Sequence, residues 1–205
     1  MIVWFNKAAV HYTPILTHPF SWLPLCCGEL SSSDLAHALS FSEILQGYEM
    51  RDSRMEVRFL QESEQKRLCS VQLSTSDLLR LKEAVQKRYW LQLFVDELPA
   101  WQPLGKQTTT ETFVYSHFHL EIHYNNSHII QVVGQPTAPV KLEISEQSLD
   151  FSYSITWIPT ITPFEARLNV YHDDGFFKGT LYCITTFYFF YCSSGIIRTG
   201  SVHFM

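Results

Sequence analysis

HFHLEIHY, residues 117–124, places His117, His119, Glu121 and His123 at every second position. A strand sends successive side chains to opposite faces, so these four polar groups share one face. Phe118, Leu120, Ile122 and Tyr124 occupy the other. Such a segment is a half-buried strand, and its reading fixes the rest: a core lies on one side of it and a polar surface on the other. The polar side has two readings, a His-x-His-x-Glu-x-His metal site or the wet side of an ordinary strand. Neighbouring members stand about 6.6–7 Å apart along a strand. Zinc needs ligand bonds near ~2 Å around one centre. Adjacent pairs can therefore converge on an ion, but all four cannot without a bend. The reading taken is the plain polar face, with no cofactor, and the metal site is kept as the alternative.

Working outward, FVYSHFHLEIHY and HIIQVV (128–133) read as a hairpin around Asn125-Asn126-Ser127. FSYSITWI (151–158) alternates as well, with Phe151, Tyr153, Ile155 and Trp157 on one face. MEVRFLQ (55–61), with Met55, Val57 and Phe59 inward, and KRLCSVQL (66–73) are two more alternating runs separated by polar residues, and they predict a second hairpin. IVWFN (2–6) predicts a short strand, WLQLFVDELP (90–99) a strand ended by Pro99, and QPLGKQTTTET (102–112) a loop. Ser42 to Gly47 predicts one short helical turn.

One segment has helical spacing. In STSDLLRLKEAVQKRYW (74–90), Leu78, Leu81, Val85 and Tyr89 form one stripe. Ser74, Thr75 or Ser76 can cap it, and Asp77 suits the first turn. Many strands with one amphipathic helix predict a mainly β domain, sandwich-like with some α+β character.

The 205 residues suffice for one well-buried domain. Net charge is −5 with 15 Lys and Arg, and no dense basic cluster occurs: Lys82, Lys87 and Arg88 read as the solvated side of the helix. Nucleic-acid binding is not expected. No C-x-x-C pair, G-x-S-x-G, H-E-x-x-H or glycine-rich phosphate loop is present. Asp173 and Asp174 are adjacent carboxylates before an apolar run, which suits a turn better than catalysis. The expectation is a non-enzyme. MIVWFNKAAVHY lacks the basic lead and apolar length of a secretory leader, so a cytosolic chain or a piece of a longer one is expected. Asn125-Asn126-Ser127 is a glycosylation sequon at the expected hairpin turn.

The tail differs in character. GTLYCITTFYFFYCSSGII (179–197) has no formal charge. As a helix it would be about 28 Å long against a hydrocarbon core of about 30 Å. Its Thr, Ser and Gly residues leave a sandwich-core reading equally open.

Several phrases in order carry a family resemblance: IVWFNK, SWLPLCC, EILQGYEMRDSRMEVRFL (43–60), LCSVQLSTSDLLRLKEAVQKRYWLQLFVDELPAW (68–101) and FSYSITWIPTITPFEARLNVYHDDGFF (151–177). Together they resemble the transmembrane 9 superfamily, the nonaspanins. The resemblance implies a lumenal N-terminal domain ahead of nine membrane helices. It also implies residence in Golgi and endosomal membranes, and a non-catalytic role in trafficking membrane-protein cargo, including proteins with glycine-rich spans. It divides this chain into a lumenal β-rich domain (1–175, incomplete at its start), a candidate first membrane segment (176–198) and a short tail (199–205). On insertion, Asp173 and Asp174 would lie on the lumenal side and Arg198 on the cytoplasmic side, as the positive-inside tendency favours. A lumenal setting permits a disulfide. The resemblance implies one from Cys26 or Cys27 to Cys69, against the alternative of buried free thiols.

The chain departs from the family in lacking a leader, in a shorter 102–112 segment, in lacking a His-Trp-Phe-Ser phrase after Phe177, and in lacking eight further spans. A fragment or truncated product is therefore expected. Two rival readings stand beside the lumenal domain: a His-dependent metal enzyme on a β scaffold, and a remnant with no function of its own. The His row also suggests mild pH sensitivity, because free histidine titrates near ~6.5.

Overall fold

A computed structural model describes residues 1–10, 13–26, 50–143 and 145–169. The expected turn at Ser42–Gly47, Cys27, the Asp173–Asp174 pair and the apolar stretch 179–197 lie outside the described residues. The described residues are mainly β. The strands are β1 (Ile2–Val10), β2 (Thr13–Pro19), β3 (Arg51–Glu56), β4 (Ser63–Leu73), β5 (Tyr89–Val95), β6 (Leu98–Pro103), β7 (Gly105–Gln107), β8 (Thr112–Asn125), β9 (His128–Lys141) and β10 (Gln147–Pro159). The α-helix α1 (Thr75–Gln86) lies between β4 and β5. Among the described residues, no helix is long and apolar enough to cross a membrane.

The strands form two five-stranded sheets. In the first, β1 pairs with β5 on one edge, while β2 and β3 share its other edge, and β6 follows β5. In the second, β8 pairs with β9 along one edge, and β7 and β10 share its other edge, with β4 beyond β10. Val3, Phe5, Leu91 and Leu93 from the first sheet join Phe118, Leu120, Ile122, Phe151 and Tyr153 from the second in one buried cluster. Phe5 sits at its centre, stacked on Phe20 at 4.1 Å and tilted against Phe118 at 5.6 Å between ring centroids.

The chain crosses between the sheets at three points, and each has a local cause. Between β3 and β4, residues 57–62 turn, with Leu60 at φ 56°. The expected hairpin of 55–61 with 66–73 therefore does not form: β3 pairs with β1, and β4 pairs with β10 in the other sheet. Met55 and Val57 are buried as anticipated, but Phe59 is 41% exposed and makes edge contacts with Trp157 and Tyr124.

The second crossing is α1. Ser74 caps it: its hydroxyl accepts from the Asp77 amide, and the Asp77 carboxylate accepts from the Ser74 amide, a reciprocal box worth about 1 kcal/mol. Leu78, Leu81, Ala84 and Val85 bury its inner face, but the helix ends at Gln86 and Tyr89, expected to continue that stripe, is the first residue of β5.

The third crossing is Leu104, between β6 and β7. Its amide donates to the Tyr89 carbonyl of one sheet, and its carbonyl accepts from the Tyr115 amide of the other, both at 3.0 Å. The expected loop 102–112 is thus mostly strand, because the polar residues of β7 pair with β8 by backbone bonds that need no apolar side chain. Pro99 does not end a strand either. Asp96 and Glu97, at φ 49° and 65°, make a two-residue turn, and Pro99 sits within β6. A proline is tolerated on an edge strand, where its missing amide faces no partner.

Two glycines allow close approaches. A Cβ on Gly134 of β9 would lie 3.1 Å from the Trp101 carbonyl of β6, where the two sheets' edges meet. A Cβ on Gly105 would collide with the Phe113 carbonyl and lie 2.8 Å from Cγ2 of Val85 on α1. Gly105→Ala is therefore expected to destabilise the domain by at least about 1–3 kcal/mol, the usual range for overpacking. Urea denaturation checks this, and an unchanged midpoint would contradict the packing described at the Leu104 crossing.

Candidate functional site

β8 is two-faced as its alternation requires. Phe118, Leu120 and Ile122 are buried between the sheets, while His119, Glu121 and His123 are half-buried on the outer face and His117 is buried there. The strand beside it decides what these groups touch. β10 runs parallel to β8, pairing Ser152 with His117, Ser154 with His119 and Thr156 with Glu121. Parallel neighbours usually need a long crossover. Here β9 has already returned the chain to the start of β8, so residues 142–146 suffice to reach its other edge.

The result is a continuous polar chain over four strands. Gln65 Nε2 donates to Ser152 Oγ at 3.2 Å, and Ser152 Oγ lies 2.7 Å from His117 Nδ1. His117 Nε2 and His119 Nδ1 each lie 2.7 Å from Ser154 Oγ. His119 Nε2 faces Glu121 Oε1 at 3.8 Å, and Gln135 Nε2 on β9 donates to Glu121 Oε2 at 3.4 Å.

Proton counting assigns the tautomers. The Glu121 carboxylate favours a proton on His119 Nε2, which leaves Nδ1 to accept from Ser154. Ser154 has one proton, now used, so it accepts from His117 Nε2–H. His117 Nδ1 then accepts from Ser152, which accepts from Gln65. With both rings neutral, each carries its proton on Nε2, and every hydroxyl proton has a partner.

Electrostatics agree for the buried ring. Burial first, and the neighbouring His119 second, hold His117 below the usual histidine range. In this arrangement three His117 and His119 nitrogens are held by serine hydroxyls and the fourth faces a carboxylate. Among the described residues, no group of three or more His, Cys, Asp or Glu is placed to hold a metal ion. The row His117, His119, Glu121 and His123 is spread along the face as strand geometry dictates; His117 and His119 bond across to β10 and Glu121 to β9 rather than around a point.

Ser152 and Ser154 were missing from the sequence reading. Their signal is present, since they occupy the polar positions of the alternation FSYSITWI. Only the parallel register places them opposite the histidines.

Cys26, four residues after the 3-10 turn Phe20–Trp22, is bonded to Cys69 on the edge strand β4, with Cα atoms 5.9 Å apart and a sequence separation of 43. Asn125, at the end of β8, donates from Nδ2 to the Thr162 carbonyl at 2.9 Å.

The family model described as endomembrane protein 70 matches residues 18–200 of the chain. Three curated relatives illustrate the similarity. Transmembrane 9 superfamily member 2 of Arabidopsis thaliana is 30% identical over 177 residues, covering 81% of this chain and 29% of that protein. Member 1 of Rattus norvegicus is 29% identical over 195 residues, covering 88% and 32% respectively. Member 4 of Arabidopsis thaliana is 26% identical over 178 residues, covering 81% and 29%. The chain thus spans less than a third of the length of these relatives. No solved structure matches it.

Two outcomes follow from this geometry. Folded His117 titrates below the unfolded value of 6.5. Above that value both states hold it neutral. As pH falls through it, the unfolded chain takes up the proton first and native stability is lost, until the folded ring also protonates. Melting temperatures at about pH 7.5 and about pH 5.5 should differ less in His117→Gln than in the unaltered protein; equal differences would remove His117 from the account. Separately, Cys69→Ala should lower stability by about 2–4 kcal/mol, since a loop of this length is worth about 4 kcal/mol in the chain-entropy model. Denaturation of the two forms without reductant measures it, and coincident curves would contradict a structural bridge.

Proposed function

The chain belongs to the endomembrane protein 70 family, and from that premise we propose that it is a lumenal domain of a transmembrane 9 superfamily protein. Its role is to sort or traffic other membrane proteins in Golgi and endosomal membranes, and it is non-catalytic. The single observation that carries this reading is the family match over residues 18–200, which takes in the whole second sheet, strands β3, β5 and β6 of the first, and the apolar stretch 179–197. Those 19 residues, 179–197, act as a membrane segment joining the domain to its bilayer. A Cys26–Cys69 bridge suits an oxidising compartment and would be unusual in the cytosol. The non-catalytic reading is supported by the outer face of β8, where the ring nitrogens of His117 and His119 are engaged by Ser152, Ser154 and Glu121. The partners are membrane-protein cargo, including proteins with glycine-rich spans.

Expression of the full chain behind a cleavable leader tests the placement. The domain is expected to resist added protease in sealed vesicles until detergent is supplied, and to stay with the membrane through alkaline carbonate. Digestion of intact vesicles would reject the lumenal placement, and release by carbonate would reject the membrane segment. In the same cells, a reporter carrying a glycine-rich span should shift its distribution between Golgi and cell surface. An unmoved reporter at confirmed expression would contradict the sorting role.

A further inference from the structure

The chain has four asparagines, Asn6, Asn125, Asn126 and Asn169, and only Asn125 is followed two positions later by Ser or Thr. The fold gives that triplet a particular setting. Asn125 is paired with His128 at the end of the β8–β9 hairpin, with Asn126 at φ 53° and both Asn126 and Ser127 exposed. The segment after β10 latches onto this tip. The Thr160 amide donates to the Tyr124 carbonyl at 2.8 Å, Asn125 Nδ2 donates to the Thr162 carbonyl at 2.9 Å, and the His128 ring lies 4.7 Å from that of Phe164.

The latch matters because the same nitrogen, Asn125 Nδ2, is both the group a glycan would occupy and the donor that holds residue 162. In the closed tip that nitrogen is engaged and the next residue is left-handed, so the triplet is not a free extended stretch. The nitrogen carries two hydrogens. A glycan replaces one, and the other suffices for the bond to Thr162.

We propose that Asn125 carries an N-linked glycan, added before the 160–164 segment closes over the hairpin, and that the modified amide keeps its remaining N–H on the Thr162 carbonyl. This rests on the lumenal reading above. The co-reactant is a lipid-linked oligosaccharyl pyrophosphate. Asn125 Nδ2 forms a bond to C1 of its first sugar, the C1–O bond to pyrophosphate breaks, and the lipid pyrophosphate leaves with that electron pair. Nδ2 gives up one proton, and nothing is oxidised or reduced.

The test uses the full chain behind a cleavable leader in mammalian cells, in three forms: unaltered, Ser127→Ala, and Thr108→Asn. Ser127→Ala removes the sequon while leaving the Asn125 amide in place. Thr108→Asn creates an Asn-Thr-Thr control in the exposed turn between β7 and β8. The expected result is one glycan on the unaltered chain, released by a glycan-specific amidase with conversion of position 125 to aspartate. Ser127→Ala should carry none and Thr108→Asn two. If Thr108→Asn is modified at position 108 alone, the inference fails while the lumenal reading stands. If neither position is modified, the lumenal reading fails and takes the inference with it. Timing is read by blocking synthesis of the lipid-linked donor, letting the chain fold, and then restoring the donor. The folded pool should stay unmodified; its complete conversion would overturn the proposed order of events.

Discussion

The parallel pairing of β10 with β8 is the constraint on which the rest of the second sheet depends. It sets Phe151, Tyr153, Ile155 and Trp157 beside Phe118, Leu120 and Ile122 on the inner face, so that one register builds half of the core. The same register brings Ser152 and Ser154 against His117 and His119 on the outer face. A slip of β10 by one residue would exchange its two faces, burying Ser152 and Ser154 and exposing its aromatics. Apolar burial and polar satisfaction thus select the same alignment, and neither needs a metal ion.

The edges of the sandwich are guarded by ordinary means. β6 carries Pro99 and Pro103, and β9 carries Pro136 and Pro139, each removing a donor from an outer strand. β4 instead displays Glu64, Lys66 and Arg67 and is tied by Cys69 to Cys26 of the other layer. The disulfide therefore pins the edge strand whose opposite neighbour, β10, carries the serines. Stability of the polar chain and of the bridge belong to one structural unit.

Much of this was legible in the sequence, and the reasons are local. The alternation of β8 and β10, the turn at Asn126, and the stripe of α1 with its Ser74 cap each follow from a few adjacent residues. What escaped reading is non-local. A period of two looks the same whichever sheet a strand joins, so 55–61 and 66–73 read as one hairpin although they enter different layers. Asp96 and Glu97 turn without the glycine or asparagine that usually marks such a turn, and so Pro99 looked like a strand end. The polar strand β7 looked like loop because its pairing is carried by backbone alone. At the site, the histidine row was visible but its serine partners, 35 residues away, were not. The pairing of Cys26 with Cys69 came from resemblance to a family rather than from spacing.

The most direct measurement of the central claim is the protonation state of the two rings in solution. Nitrogen-15 imidazole spectra of the folded chain at neutral pH should show His117 and His119 both as neutral Nε2–H tautomers, unaltered by added zinc. A charged His117, an Nδ1–H tautomer at either ring, or shifts at both rings on adding one equivalent of zinc would mean that β10 does not present its serines as described.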